Sequence, residues 1–435
     1  MFVPLILTDF LDRAASLYGN KTAVIDGQKE VTYEELNKRV NQLSHALTSL
    51  HIKKGDKVAY LTRNSLELVE GYYGVFQVGG IITPLDTELS PEEYKFILNH
   101  SGSRVLFVEE SLYTSICPVL NELETVETVI VLGTFSHTEE YYSYNTWKDQ
   151  FPTSEFNRIE LEEQDIATLQ YTRGTTGQPK GVLLTHRSNY LHALSAMHHL
   201  RVEDKDRLLH VLPMHHVNGW GAPFIYTANG ATQVMQKETA PRLLAENIQD
   251  FDITVVHMTP PVLEQLLDFF WEEEGRVPMR ENVRLIIAGA VPPREFVSAV
   301  ENELGWEFLQ VYGMTETSPL VTVSEVRTQH HHFSPERKQD IKAKIGYSMI
   351  GSNVKVTGED GELVPYDGVT PGEIVVRSNN AMEGYLKNPE ETSNMIKNGW
   401  LHTGDRAVVD PNGYIQIVER KRWRKNRTSS ADTAQ

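Results

Sequence analysis

Gly174, Thr175, Thr176 and Gly177, with Lys180 shortly after, bring unhindered backbone N–H groups, two hydroxyls and a mobile positive charge into one run, LQYTRGTTGQPKGVLLTH, from Leu169 to His186. Backbone amides in a concave turn bind phosphate oxygens because each N–H points at the anion and no side chain blocks the approach. The run therefore reads as an anion cradle. A strand ending in QYT leads into it, and a helix is expected to begin at THRSNYLHALSAM, a few residues past Lys180. It is not a Walker A loop: that motif sets glycine directly before Lys-Ser/Thr, whereas here Pro179 precedes Lys180 and Gly181 follows it. The plain alternative is a flexible Gly/Thr turn.

Paired histidines at 198 and 199, 215 and 216, and a run at 330 to 332 raise the question of zinc. None has the helical His-x-x-x-His spacing with a further Cys, Asp or Glu ligand. Metal binding by these histidines is not expected. A basic cluster near the end, RKRWRKNR, has the composition of a nucleic-acid signal, but it sits on a chain of formal net charge -18 and reads better as a solvated tail.

The elements that must position the cradle are legible from their punctuation. TYEELNKRVNQLSHAL opens with Thr32 and Glu35 as a capping box and places Leu36, Val40, Leu43 and Leu47 at helical spacing. SPEEYKFILNH repeats the device with Ser90, Pro91 and Glu93. DKVAYLT, GGIITPL, RVLFVEE and TVIVLG read as short buried strands between and after these helices, and DITVVHM and VRLIIAGA as strands that precede proline-marked helix starts. Such alternation implies an α/β fold with parallel-type sheets covered on both faces. From about Ile345 the texture changes to VKVTGEDGELV, GEIVVRS and GYIQIVER, which suggests a small antiparallel β unit. TQHHHFSPERKQD, 328 to 340, reads as a polar surface loop.

At 435 residues the chain exceeds the usual size of one core. Two αβ subdomains over 1–344, a β-rich subdomain over 345–418, a hinge remnant at 419–422 and a disordered tail over 423–435 are expected. The acidic balance argues against nucleic-acid or anionic-membrane binding. The single cysteine, Cys117, fits a reducing compartment. No apolar run reaches the roughly 18 to 20 residues of a membrane span, and the apolar opening MFVPLILTDF lacks the basic start of a signal peptide. A cytoplasmic protein with no transmembrane segment is the expectation; the oligomeric state stays open, a homodimer included.

YTRGTTGQPKGV resembles the phosphate loop of the adenylate-forming enzymes, the superfamily of acyl- and aryl-CoA synthetases, peptide-synthetase adenylation domains and firefly luciferase. The resemblance recurs in order in PMHHVNGWGAP, IAGAVPP, QVYGMTETSP, GELVP with GEIVVRS, GYLKNPEET, GWLHTGDRAVVD and GYIQIVERK. It implies the large N-terminal domain of that superfamily, in which a carboxylate attacks the α-phosphate of ATP to give acyl-AMP and pyrophosphate. Two anions must meet there, so catalysis is chiefly charge neutralisation and positioning. The substrates implied are a carboxylic acid, ATP and CoA, with magnesium on the phosphates.

Carried over residue by residue, the resemblance puts Thr172, Gly174, Thr175, Thr176, Gly177 and Lys180 around the phosphates. It puts Tyr312 on the adenine face, Gly289 and Ala290 where adenine approaches the backbone, Gly313 beside the nucleotide and Thr315 on the α-phosphate. Glu316 falls on the magnesium ion, and Asp405 and Arg420 on the ribose. His216 falls beside the reacting carboxylate, and Trp220 matches a tryptophan that gates the acyl tunnel in some fatty acyl-CoA synthetases, which favours a fatty acid; an aromatic here is also a fair core residue. Lys180, Thr315, Glu316 and His216 are the catalytic candidates.

Two departures temper the expected activity. ERKR fits the family's hinge but WRKNRTSS does not continue it, so the mobile domain with its catalytic lysine is expected to be absent; loss of one preorganised donor typically costs ~10² to 10³ in rate. Arg173 stands where the family usually has serine, and its bulk leans towards impairment of triphosphate binding, although a bidentate phosphate contact is the alternative. Two other functions therefore stay open: a catalytically incomplete nucleotide or acyl-adenylate binding protein, and an amino-acid or aryl adenylation module.

Overall fold

The computed structural model describes residues 1–133, 141–172, 178–273, 280–289 and 292–419. Its strands form two large mixed sheets and one small antiparallel sheet. The first large sheet runs Gly384–Tyr385, Lys180–Thr185, Ile166–Thr172, Ile81–Pro84, Lys57–Leu61, Ser103–Glu109, Thr128–Leu132, Tyr142–Ser143. It is parallel from Ile166–Thr172 onward and antiparallel at the Lys180 edge. The second has nine strands, and its parallel centre carries Arg207–His210, Val255–Met258, Arg284–Ile287 and Glu307–Gly313.

Alternation along these strands explains why they read as continuous apolar runs. Val58 and Tyr60 point into one core, Ala59 and Leu61 into another, and all four are fully buried. Likewise Leu208 and Val255 enter the first core while Leu209 and Val256 enter a third cluster. The largest core is thus shared by the two big sheets, with the helices Tyr33–Ser49, Leu66–Gln77, His186–His199 and Ala222–Ala228 in it. Leu36, Val40, Leu43 and Leu47 are all fully buried in that core, as their spacing predicts. A buried carboxylate ties helices to this core: Glu70 accepts from Arg39 at 2.5 Å, Lys148 at 2.6 Å and the Tyr144 hydroxyl at 2.5 Å. Burial alone would raise its pKa, but Lys148 and Arg39 more than offset this and hold it below the usual value.

Ser90 and Glu93 close both arms of the expected capping box, whereas at Thr32 the bond formed is the one from Glu35 N to the threonine hydroxyl at 3.2 Å. The helix expected to begin at Thr185 is His186–His199, capped by Thr185, and ahead of it Lys180 opens a strand, Lys180–Thr185, antiparallel to Ile166–Thr172. One sequence expectation is corrected. The segment 328–340 is not simply a loop: it holds a 3-10 turn and the helix Pro335–Lys342, capped by Ser334. That helix is polar on nearly all sides, with Ile341 its one buried residue, so it offers no apolar period to read.

The third sheet is antiparallel and joins Ser352–Thr357, Gly372–Ser378, Trp400–Val409, Ile396–Lys397 and Ile415–Glu419. Gly384–Tyr385, from within this stretch of sequence, instead completes the first large sheet by pairing with Val182 and Leu183. Among the described residues no helix is long and apolar enough to cross a membrane.

Candidate active site

Where the three sheets converge lies a cavity of about 870 Å³ lined by Thr172, Lys180, His216, Trp220, Gly289, Gly313, Thr315, Glu316 and Asp405. Its size suits a small-molecule ligand. Residues separated by more than two hundred positions in sequence are brought together here. Arg173, Gly174, Thr175, Thr176, Gly177, Ala290, Arg420 and the tail 423–435 lie outside the described residues.

Thr172 and Lys180 face each other in the last hairpin pair before the cradle. Lys180 is ion-paired with Glu391, and its ammonium lies 5.4 Å from the centre of the Tyr385 ring. The Tyr385 hydroxyl donates to Glu316 Oε1 at 2.7 Å. Glu391 sits in the first turn of the helix Pro389–Met395, whose cap, Asn388, accepts from the Glu391 amide at 3.1 Å. Tyr385 and Glu391 belong to GYLKNPEET, a motif noted in the sequence but given no role there. Their part in the site comes from strand pairing, which no local signal reports.

Gly313 ends the strand Glu307–Gly313, and a Cβ on it would stand 1.9 Å from the Pro319 carbonyl oxygen. Only glycine therefore lets the chain fold back on itself to form the turn Thr315–Thr317. Thr315 and Glu316 are both 6% exposed and line the cavity. Burial pushes the Glu316 carboxyl up from its ordinary value, partly countered by the Tyr385 hydrogen bond and by Lys180.

On the opposite wall His216 precedes a turn, Val217–Trp220, whose residues and the following Gly221 all have positive φ, from 49° to 76°. Trp220 is buried, and its indole stacks on His257 with centroids 6.0 Å apart. His257 Nε2 is in turn 2.9 Å from the Tyr226 hydroxyl. The His215 ring stands 3.6 Å from Asp86. Burial lowers the pKa of both neighbouring histidines, against the pull of Asp86, His215 to about 4, so both are neutral at pH 7. His216 is open to the cavity yet ringed by protein, which is why its charged form is disfavoured.

Asp405 is held by its surroundings. The Tyr312 hydroxyl donates to Asp405 Oδ2 at 2.9 Å. Beside it Glu373 accepts from the Gly404 amide and faces His402, both at 2.9 Å. Tyr312 does not line the cavity; its ring is 2% exposed and packs in the core of the third sheet. Gly289 has φ +96° and presents backbone to the cavity.

The described residues hold no cluster of three His, Cys, Asp or Glu side chains suited to a metal. Glu316 supplies instead one buried hard carboxylate beside a cationic site. That donor set fits magnesium carried in on phosphates, an ion usually bound through one or two carboxylates plus substrate oxygens.

A model described as AMP-binding enzyme matches residues 11–386. The chain is 34% identical over 422 residues to the long-chain-fatty-acid–CoA ligase of Thermus thermophilus, covering 95% of this chain and 76% of that protein. It is 32% identical over 419 residues to 4-hydroxybutyrate–CoA ligase 2 of Metallosphaera sedula, covering 94% and 75%. Among solved structures it resembles the N-terminal domain of FACL13 from Mycobacterium tuberculosis, with a TM-score of 0.84 and 26% identity over 95% of this chain and 99% of that one. The anthranilate CoA ligase AuaEII in complex with anthranoyl-AMP shares the fold, with a TM-score of 0.87 at 24% identity over 97% and 78% of the two chains.

Proposed function

Because the chain belongs to the AMP-binding enzyme family, we propose that it activates a carboxylic acid with ATP, as the first half of acyl-CoA synthesis, and that the acid is a fatty acid. The observation that carries this reading is the single cavity in which Lys180, Thr315, Glu316, His216 and Asp405 meet. In the reaction a carboxylate oxygen forms a bond to the α-phosphorus of ATP, and the bond from that phosphorus to the bridging oxygen breaks, releasing pyrophosphate. In the second half the CoA thiol, losing its proton, attacks the acyl carbon and AMP departs.

The residues divide this work by chemistry. Lys180 neutralises the β- and γ-phosphates at the tip of the hairpin, with the amides of Gly174 to Gly177 and the Thr172 hydroxyl alongside. The Thr315 hydroxyl donates to the α-phosphate, where charge develops as the carboxylate adds. Asp405 accepts from the ribose hydroxyls, Gly289, Ala290 and Gly313 leave room for the nucleotide, and Arg420 approaches the sugar. Neutral His216 meets the incoming carboxylate without an ionic trap that would hold it short of attack, and Trp220 bounds the acyl group. Glu316 would hold magnesium, which when bound offsets phosphate charge. Tyr312, with its hydroxyl on Asp405, serves the ribose side; stacking on adenine would need its ring face uncovered.

The acid named for the Thermus thermophilus relative is a long-chain fatty acid and that for the Metallosphaera sedula relative is 4-hydroxybutyrate. Both carry an aliphatic chain, which supports an aliphatic acid here. The chain spans about three quarters of each of those ligases. Incubation with ATP, magnesium and a panel of acids, trapping with hydroxylamine and mass spectrometry of the hydroxamates tests the proposal: an acyl hydroxamate names the acid. ATP binding without any hydroxamate points to the binding-only reading.

A further inference from the structure

We infer that Asn218 is a positioning residue for the acyl side of the cavity: its buried amide holds a left-handed turn that sets His216 and Trp220 at the reacting carboxylate. The inference rests on the acid-activating reading above.

Val217, Asn218, Gly219, Trp220 and Gly221 have φ of 49°, 53°, 57°, 57° and 76°. L-residues visit this region singly, and a β-branched valine or a tryptophan there is an outlier. Two of the five are glycines and asparagine tolerates the region, so Val217 and Trp220 are the two held against their preference. Local backbone bonds, Gly219 N to His216 O and Gly221 N to Asn218 O, both 3.0 Å, close the turn but do not attach it to the fold. The attachment is Asn218, 1% exposed, which uses both ends of its amide. Its Oδ1 accepts from Gln170 Nε2 at 2.5 Å, and its Nδ2 donates to Thr168 Oγ1 at 3.2 Å and Asn189 Oδ1 at 3.3 Å. Asn189 donates in turn to the Thr185 carbonyl at 2.9 Å, at the start of the helix His186–His199.

Thr168, Gln170 and Thr172 alternate along one strand and share a face. The first two grip the turn, and the third lines the cavity beside the cradle. One strand face therefore fixes the acyl turn and the phosphate entrance relative to each other. At its far end the turn rests on His192: a Cβ on Gly221 would stand 2.8 Å from that fully buried ring. Asn218 itself does not line the cavity, so it acts through its neighbours. Strain of this kind persists where the surroundings over-determine it and gathers at functional sites.

The test measures two ligands on each variant by calorimetry: AMP, and the sulfamoyl isostere of butanoyl adenylate, which adds an acyl group to the same nucleoside. Asn218→Ala removes the amide, and Asn218→Gly removes it while keeping a residue at ease with positive φ. Because Asn218→Ala risks misfolding, Thr168→Val, which removes one acceptor of the network, is run in parallel, with circular dichroism as the folding check. The expected result for Asn218→Gly is AMP affinity within about twofold of the unaltered protein and affinity for the acyl isostere about tenfold weaker, the loss of a buried hydrogen-bonded anchor. Indole fluorescence, read as the difference from a Trp220→Phe background, is expected to shift with the same variant. Equal losses for both ligands, or no loss for either, overturn the inference. If the unaltered protein binds neither ligand, the acid-activating reading fails and this inference falls with it, so the two failures are told apart.

Discussion

The Tyr385 hydroxyl donates to Glu316 Oε1 at 2.7 Å, and the same ring lies under the Lys180 ammonium at 5.4 Å. The cavity's buried acid and its lysine ammonium are thus joined through one tyrosine. Burial nevertheless dominates at Glu316 and raises its pKa.

That raised pKa predicts a conflict between stability and function. With the folded-state pKa above the unfolded value of 4.5, the stabilising contribution of the protonated form is fully present below 4.5 and is lost as pH rises through the folded value. At neutral pH the buried charge therefore destabilises. Glu316→Gln keeps an oxygen for the Tyr385 hydroxyl and removes the charge. Its melting temperature should exceed that of the unaltered protein at pH 7.5, the gap closing towards pH 4.5, while ATP–pyrophosphate exchange falls by ~10²-fold or more. A lower melting temperature at pH 7.5 would show that Glu316 is stabilised in place by groups other than those named.

Lys180 is ion-paired with Glu391. On the proposed role of Lys180, phosphate would have to displace this carboxylate or share the ammonium with it, and either route would weaken binding. Glu391→Gln should tighten ATP binding by about three- to tenfold. Lys180→Met should weaken it by at least as much, and calorimetry at two ionic strengths measures both. Unchanged affinity in Glu391→Gln would mean that the carboxylate does not compete.

Much of the fold was legible because its signals are local. Leu36, Val40, Leu43 and Leu47 announce a buried helical face, and Ser90 with Glu93 announces where a helix begins. The helix Pro335–Lys342 escaped because a helix polar on nearly all sides carries no period. In the site, Lys180, Thr315, Glu316, His216 and Asp405 could be picked out by residue type and motif. Tyr385 and Glu391 could not, since their place depends on pairing between Tyr385 and Val182 across the fold. The positive φ of Val217 and Trp220 was equally hidden, because neither residue type suggests it.

The hydrogen bond from Tyr312 to Asp405 gives a third prediction. Asp405 is proposed to accept from the ribose, and Tyr312 holds one of its oxygens at 2.9 Å from within the third core. Tyr312→Phe keeps the packing and removes the donor. AMP should bind about tenfold or more weakly, as for a hydrogen bond to a charged group. Asp405→Ala should cost more, and adding Tyr312→Phe to it should cost little further, because the tyrosine then has nothing left to orient. Additive losses in this cycle would assign Tyr312 a contact of its own with the nucleotide.

The last prediction concerns acid. His186, His192, His210 and His257 are fully buried, and burial lowers His186 and His210 to about 4, His192 and His257 to about 3. A histidine in the unfolded chain takes up its proton near the ordinary value of 6.5, so the unfolded state binds more protons at every pH between 6.5 and these depressed values. Stability supplied by the neutral rings is present above 6.5 and lost as pH falls through that window. At pH 5 each ring costs about 2 kcal/mol, from 1.5 pH units at about 1.4 kcal/mol per unit, and together about 8 kcal/mol, comparable to the whole margin of an ordinary domain. Urea unfolding at pH 7.5, 6.5 and 5 should show little change over the first step and a steep fall over the second, with these four rings contributing about four of the protons taken up on unfolding. His192→Gln should reduce that uptake by one, since among the described residues neither nitrogen of His192 has a hydrogen-bond partner to hold a proton in the folded state. A free energy of unfolding that stays flat from pH 6.5 to 5 would mean that these rings accept protons without unfolding, and the packing that isolates them from water would have to be redrawn.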